Sequence, residues 1–244
     1  MALTVLERSV YRGPNIHSHR AMIRIELDLG ELEAWPTHRL EGFSDRLLEA
    51  LPSLAGHGCS YREAGGFVRR LREGTWLGHV VEHLALELQT LAGAATTRGK
   101  TRSVRGRPGV YNVMYVYEDE AVGLLAGRTA IELVDSLLPD ALRGAARLSR
   151  LAPAPEPEGP FDLARRIEVL ARMQRRASLG PSTKALVDEA RRRRIPVRRM
   201  DEQSLVQLGW GSRQKRLRAS VTGSTSLIGA ELAGDKALAK RILA

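Results

Sequence analysis

The sequence predicts an α+β module followed by a shorter α/β layer, and three observations carry that reading. An alternating apolar and polar stretch at 21–29 (AMIRIELDL) and a β-branched, aromatic stretch at 110–118 (VYNVMYVYE) are separated by helical patterns. Composition breaks once, at 151–160 (LAPAPEPEGP), where four prolines among small and acidic residues favour an extended linker. Beyond that break, helical and strand patterns alternate. The expected organisation is a module at 1–150, a linker at 151–160 and a second part at 161–244.

The elements follow in chain order. Residues 21–29 read as a half-buried strand, and 42–51 and 65–72 as short helices. The longest helical pattern runs from Thr75 to Ala92, with Gly93 where a helix C-terminus expects it. Strands are expected at 98–105 and 110–118, and a helix at 119–138 closes the module. In the second part a helix is expected at 162–177. A turn follows at 179–183, where Ser182 or Thr183 can cap the next helix. Strands are expected at 195–200, 204–208 and 215–221, and a last helix at 236–243.

With 43% apolar residues the chain can fill a sizeable core. No segment has the uninterrupted apolar length of a membrane span, and the N-terminus lacks a basic region followed by an apolar run, so a cytoplasmic protein without membrane attachment is expected. Cys59 is the single cysteine, which excludes an internal disulfide and suggests a buried, inert thiol. The net charge of +10 is uneven: residues 1–160 hold 19 basic against 20 acidic side chains, and residues 161–244 hold 19 against 8. Arg supplies 33 of the 38 basic residues and is spread along the whole chain, which lowers the weight of 191–194 as a nucleic-acid patch.

The stretch 78–89 (GHVVEHLALELQ) carries the chemistry. His79, Glu82 and His83 stand in the order His-x-x-Glu-His, the inverzincin signature. On a helix the two histidines share a face and can reach one zinc ion, and the glutamate between them is placed to act as a general base. Two ligands leave the site incomplete. By analogy with pitrilysin-type inverzincins, whose third ligand is a glutamate on a later helix, Glu120 is the expected third. His17, His19, His38 and His57 lack such spacing and read as surface or turn residues.

Several segments then go beyond pattern. YRGPNI at 11–16, IELDL at 25–29, GGF at 65–67, LREGTWLGHVVEH at 71–83, ELQTLAG at 87–93 and PGVYNV at 108–113 resemble the N-terminal module of cyanophycin synthetases. LGPST at 179–183, VQLGWG at 206–211, QKRL at 214–217 and the pair Asp235-Lys236 resemble the start of that family's ATP-grasp domain. The resemblance implies a partial α/β ATP-grasp (pre-ATP-grasp) lobe after the α+β module. It also implies a ligase that uses ATP and Mg²⁺ to build an aspartate-arginine polymer, and an N-terminal module that holds the polymer and in some members cuts it into primers at a zinc site. The family continues past the counterpart of Ala244 into further lobes and a Mur-ligase-like domain, so this chain is expected not to ligate alone. Lys236 inherits a role on nucleotide phosphates, suited to a compact point charge. Ser182, at a helix N-terminus, inherits one on the polymer's terminal carboxylate. A homo-oligomer is compatible with this reading. The alternatives are a free-standing zinc-dependent hydrolase of the polymer and, last, a basic RNA-binding protein, for which no aromatic RNP-like motif is present.

Overall fold

The computed structural model describes residues 3–154, 159–201, 203–219 and 221–243. The described residues form two compact units, residues 1–176 and 177–244, each with its own antiparallel sheet.

In the first unit the strands are β1 (Thr4–Tyr11), β2 (Met22–Asp28), β3 (Gly99–Ser103) and β4 (Val110–Val116), in the order β1-β2-β4-β3. Strand β1 was not expected from the sequence. A bulge between Val5 and Glu7 shifts its register against β2 and breaks the apolar alternation by which a strand is recognised. The other three lie within one to two residues of their expected positions. Ile23, Ile25 and Leu27 of β2, with Val113 and Tyr115 of β4, are fully buried on the face covered by helices. Arg24 points the other way, as the pleat requires, and donates to Asn112 Oδ1 (2.9 Å) and Ser9 Oγ (3.0 Å).

The helices of this unit are α1 (Phe43–Ala50), α2 (Gly66–Glu73), α3 (Leu77–Leu91), α4 (Glu120–Leu137) and α5 (Leu163–Ala177). Helix α3 packs on β3, β4 and α4 together. Its residues Val80, Val81, Leu84, Ala85 and Leu88 are all fully buried, and each large aliphatic among them is worth roughly 1.5–3 kcal/mol relative to exposure. Helix α4 starts at an Asp119 cap, whose carboxylate accepts from Val122 N (3.1 Å).

The boundary between the units falls after Arg176, not in the proline-rich stretch. Residues 155–158 of the expected linker lie outside the described residues. Leu151 and Ala152, expected in the linker as well, are buried in the core of the first unit. Helix α5 joins that core through Leu170, with Ile167 and Met173 packed against it, and Arg166 pairs with Glu132 of α4 (3.1 Å). The apolar face of α5 thus decides its allegiance, which the proline count alone does not reveal.

The second unit contains α6 (Pro181–Arg192), β5 (Val197–Arg199), β6 (Leu205–Leu208), β7 (Lys215–Arg218), β8 (Val221–Thr222), α7 (Leu227–Gly234) and α8 (Lys236–Leu243). Its sheet is antiparallel in the order β5-β6-β7-β8, and its core is small: Val187, Val206 and Leu217. Helix α6 has Gly180 at the N-cap and Pro181 at its first position, so the cap expected from Ser182 or Thr183 is not used. Among the described residues no helix is long and apolar enough to cross a membrane.

One close approach holds α4 to the sheet. Gly127 leaves room for the Tyr115 hydroxyl, which donates to Gly123 O (3.0 Å); a Cβ at 127 would run into that hydroxyl. Gly127→Ala would gain up to about 1 kcal/mol of helix propensity but cost about 1–3 kcal/mol by overpacking, so net destabilisation is expected. Urea unfolding checks this, and an unchanged or raised midpoint would contradict the packing described.

Candidate metal centre on helix α3

Helix α3 is buried on most sides yet carries four titratable side chains, His79, Glu82, His83 and Glu87. Each has found a partner. Glu82 turns toward β3, where its Oε2 accepts from Thr101 Oγ1 (2.6 Å) and where a Cβ on Gly99 would press into the carboxylate. Burial pushes its pKa up to about 7, against the Thr101 bond and the charge of Arg102. A carboxyl that titrates near neutrality suits proton transfer.

His79 and His83 lie one turn apart and meet edge to face, with ring centroids 4.8 Å apart. Phe67 of α2 stacks on His83 (4.0 Å) and walls the site. Desolvation, with smaller contributions from nearby positive groups, brings His79 down to about 4 and His83 to about 2. Both rings are therefore neutral at neutral pH, the state in which imidazole binds a metal.

The loop between α1 and α2 completes the group. Cys59 Sγ lies 3.4 Å from His79 Nε2, and among the described residues Cys59, His79 and His83 are the group whose ligand atoms gather within 4.8 Å of one another. A tetrahedral zinc ion holds a thiolate sulfur and an imidazole nitrogen about 3.5 Å apart, so this donor set fits. Cys59 is half-buried rather than buried and sits at φ 48°, a left-handed conformation that costs a non-glycine residue on the order of 1–2 kcal/mol. The loop is clamped there: Phe67 N donates to His57 O (2.9 Å), Gly65 N donates to Ala55 O (2.9 Å), and a side chain at Gly66 would collide with Gly58 O.

His57 is not a surface residue either. Its Nε2 lies 2.6 Å from Glu87 Oε2 and its Nδ1 lies 2.9 Å from His83 Nδ1. Neither His57 nor Cys59 has helical spacing to α3, so the motif could not find them. The only local signal is the His-Gly-Cys order at 57–59.

Glu120, the expected third ligand, is elsewhere. Both its oxygens accept from the Arg12 guanidinium (2.6 and 2.7 Å). Gly123, less than one turn along α4, lies beside Gln89, which the helical rise sets about 15 Å from His79 along α3. The side chain that does lie beside the two histidines is Cys59. In the second unit, Ser182 and Lys236 are both exposed in the first turns of α6 and α8, and they belong to a separate compact unit from the α3 cluster.

Residues 24–139, which run from β2 through the end of α4 and include every residue of the cluster, match the cyanophycin synthase-like N-terminal domain family. The chain as a whole is similar to cyanophycin synthetases: 43% identical over 244 residues to that of Trichormus variabilis and 38% to that of Geminocystis herdmanii, each match covering 99% of this chain. It spans about a quarter of the length of the curated relatives it matches (25% and 26%).

The shifted pKa values have a consequence for stability without metal. His79 and His83 fall below the ordinary 6.5, so as pH drops below that value the unfolded chain takes up protons the native one refuses, and stability is lost. Glu82 acts in the opposite sense. Between 4.5 and about 7 the native carboxyl keeps a proton that the unfolded one has released, so its contribution falls as pH rises. Glu82→Gln keeps an oxygen for Thr101 and removes the titrating carboxyl. With a chelator present, its stability relative to the parent chain is expected to grow from pH 4.5 to 7 in urea titrations, and a constant difference would refute the buried neutral carboxyl.

Proposed function

We propose that this chain is the N-terminal part of a cyanophycin synthetase-like, ATP-dependent ligase, that its first unit holds an aspartate-arginine polymer, and that the α3 cluster cuts this polymer into primers with a zinc ion. The supporting observation is the convergence of Cys59, His79 and His83 inside the matched domain. When bound, zinc would supply Lewis-acid polarisation of the scissile carbonyl. The chain's own residues do the rest. His79 and His83, neutral by burial, offer lone pairs, and Cys59 offers a thiolate. Glu82 takes a proton from the attacking water as its oxygen bonds to the scissile carbonyl carbon, and its pKa near neutrality lets it return that proton to the amine as the C–N bond breaks. Phe67 excludes water from one side of His83. In the second unit, Ser182 would meet the polymer's terminal carboxylate and Lys236 the phosphates of ATP, with Mg²⁺ bound by the whole enzyme.

The test separates holding metal from cutting. Zinc content is expected to approach one ion per chain, to fall in His79→Ala, His83→Ala and Cys59→Ala, and to survive Glu82→Gln, while cleavage of the polymer is lost in all four. Elemental analysis and chromatography of the polymer read the two quantities. Zinc-independent cleavage, or full cleavage by Glu82→Gln, would sink the proposal.

A further inference from the structure

Strand β3 is an edge of the first sheet, and the phase of its pairing with β4 decides which backbone groups it offers outward. Val116 N donates to Arg98 O (3.0 Å) and Val104 N donates to Val110 O (2.8 Å), so residues 98 and 104 turn their backbone groups toward β4. In the antiparallel register Lys100 stands opposite Met114 and Arg102 opposite Asn112, in the same phase. Gly99, Thr101 and Ser103 therefore direct their N–H and C=O groups away from the sheet, and no described residue hydrogen-bonds to those groups. The same residues adjoin the chemistry of α3. Thr101 Oγ1 donates to Glu82 Oε2 (2.6 Å), and Gly99 lies so close to that carboxylate that a Cβ there would press into it.

Charge selects what this edge can take. From Leu88 to Tyr117 the sequence holds five basic residues and no acidic one. Arg107 pairs with Glu26, while Arg98, Lys100, Arg102 and Arg105 are exposed and form no ion pair with a described residue. A second copy of β3 would bring the same cations alongside and be repelled, whereas an extended chain that carries carboxylates is attracted. We infer that the outer edge of β3 takes the backbone of the aspartate-arginine polymer as an added strand, held by the outward groups of Gly99, Thr101 and Ser103. Such a strand lies about 4.8 Å from β3 and passes its amides beside Glu82. An arginine joined through its amine keeps a carboxylate close to the backbone and a guanidinium at the end of a flexible stem. Lys100 and Arg102 alternate with Thr101, on the face of the sheet away from Glu82, so they meet the carboxylates of every second side group and leave the guanidinium ends to water.

This inference rests on the reading that the first unit holds the polymer, and amide hydrogen exchange separates the two. In the full ¹⁵N-labelled chain, with a chelator present so that the polymer stays whole, added aspartate-arginine polymer is expected to slow exchange at Gly99, Thr101 and Ser103. The amides of Lys100 and Arg102, already bonded to β4, should stay as they were. That alternation marks a paired strand, and attraction between charges alone would not produce it. Ser103→Pro removes one outward N–H and leaves the Val104 bond to β4, so it is expected to weaken polymer binding about three- to tenfold, the loss of one hydrogen bond. Ser103→Thr keeps the N–H and should bind as the parent does. Lys100→Glu combined with Arg102→Glu should weaken binding by about tenfold or more and flatten its salt dependence. If Ser103→Pro does not fold, the exchange pattern of the parent chain decides. Polymer binding with free exchange at the three outward amides would overturn the inference and leave the polymer reading standing, while a parent chain that binds no polymer would overturn both. Slowed exchange at those amides in concentrated protein without polymer would assign the edge to a second copy and also overturn the inference.

Discussion

Burial of helix α3 is the constraint from which the rest of the first unit follows. Its apolar residues are covered by β3, β4 and α4, which removes water from the same helix's histidines and glutamates. A buried polar group without a partner costs about 1–3 kcal/mol, and a charged one more. The fold therefore has to deliver a partner to each, and it does so from different elements: Thr101 from β3 for Glu82, Thr75 from the approach to α3 for His79, and the 57–59 loop for His83 and Glu87.

That requirement explains features otherwise hard to place. Gly99 is small because the Glu82 carboxylate occupies the space its side chain would take. Gly66 is small because the backbone of the 57–59 loop lies against it. The left-handed Cys59 is held by the same clamp, and its strain is offset by the contacts that fix the loop to α2. These separate contacts hold the polar side chains of α3 in place. Pre-positioning of this kind is what a metal centre needs if binding is not to carry the cost of ordering the loop.

The second unit is built on a smaller scale. Three buried side chains centre its core, and large apolar residues such as Leu227, Ile228 and Leu243 remain exposed. Its helix termini expose Ser182 and Lys236 rather than enclosing them. These exposed groups contrast with the desolvated cluster of the first unit, where burial is the largest cause of the shifted pKa values.

What the sequence determined by itself was whatever depends on neighbours along the chain. Strands β2 and β4, helices α1 to α4 and the His79, Glu82 and His83 motif were legible because periodicity places apolar residues on one face and the two histidines one turn apart. Strand β1 was hidden by its bulge, and the proline-rich stretch drew the unit boundary too early because the burial of Leu170 cannot be seen locally. The tertiary structure alone decided which side chains from outside α3 meet the two histidines. His57 and Cys59 lie more than twenty residues before His83, and only the clamp of the loop onto α2 brings them to α3. Glu120, which stands at a plausible place in the sequence, lies at the far end of α4 and pairs with Arg12 because α3 and α4 run so that its end meets Gln89 and not His79. Local spacing fixes which side chains share a helix face; which partners reach that face depends on chain closure across the fold, and closure is a property of packing.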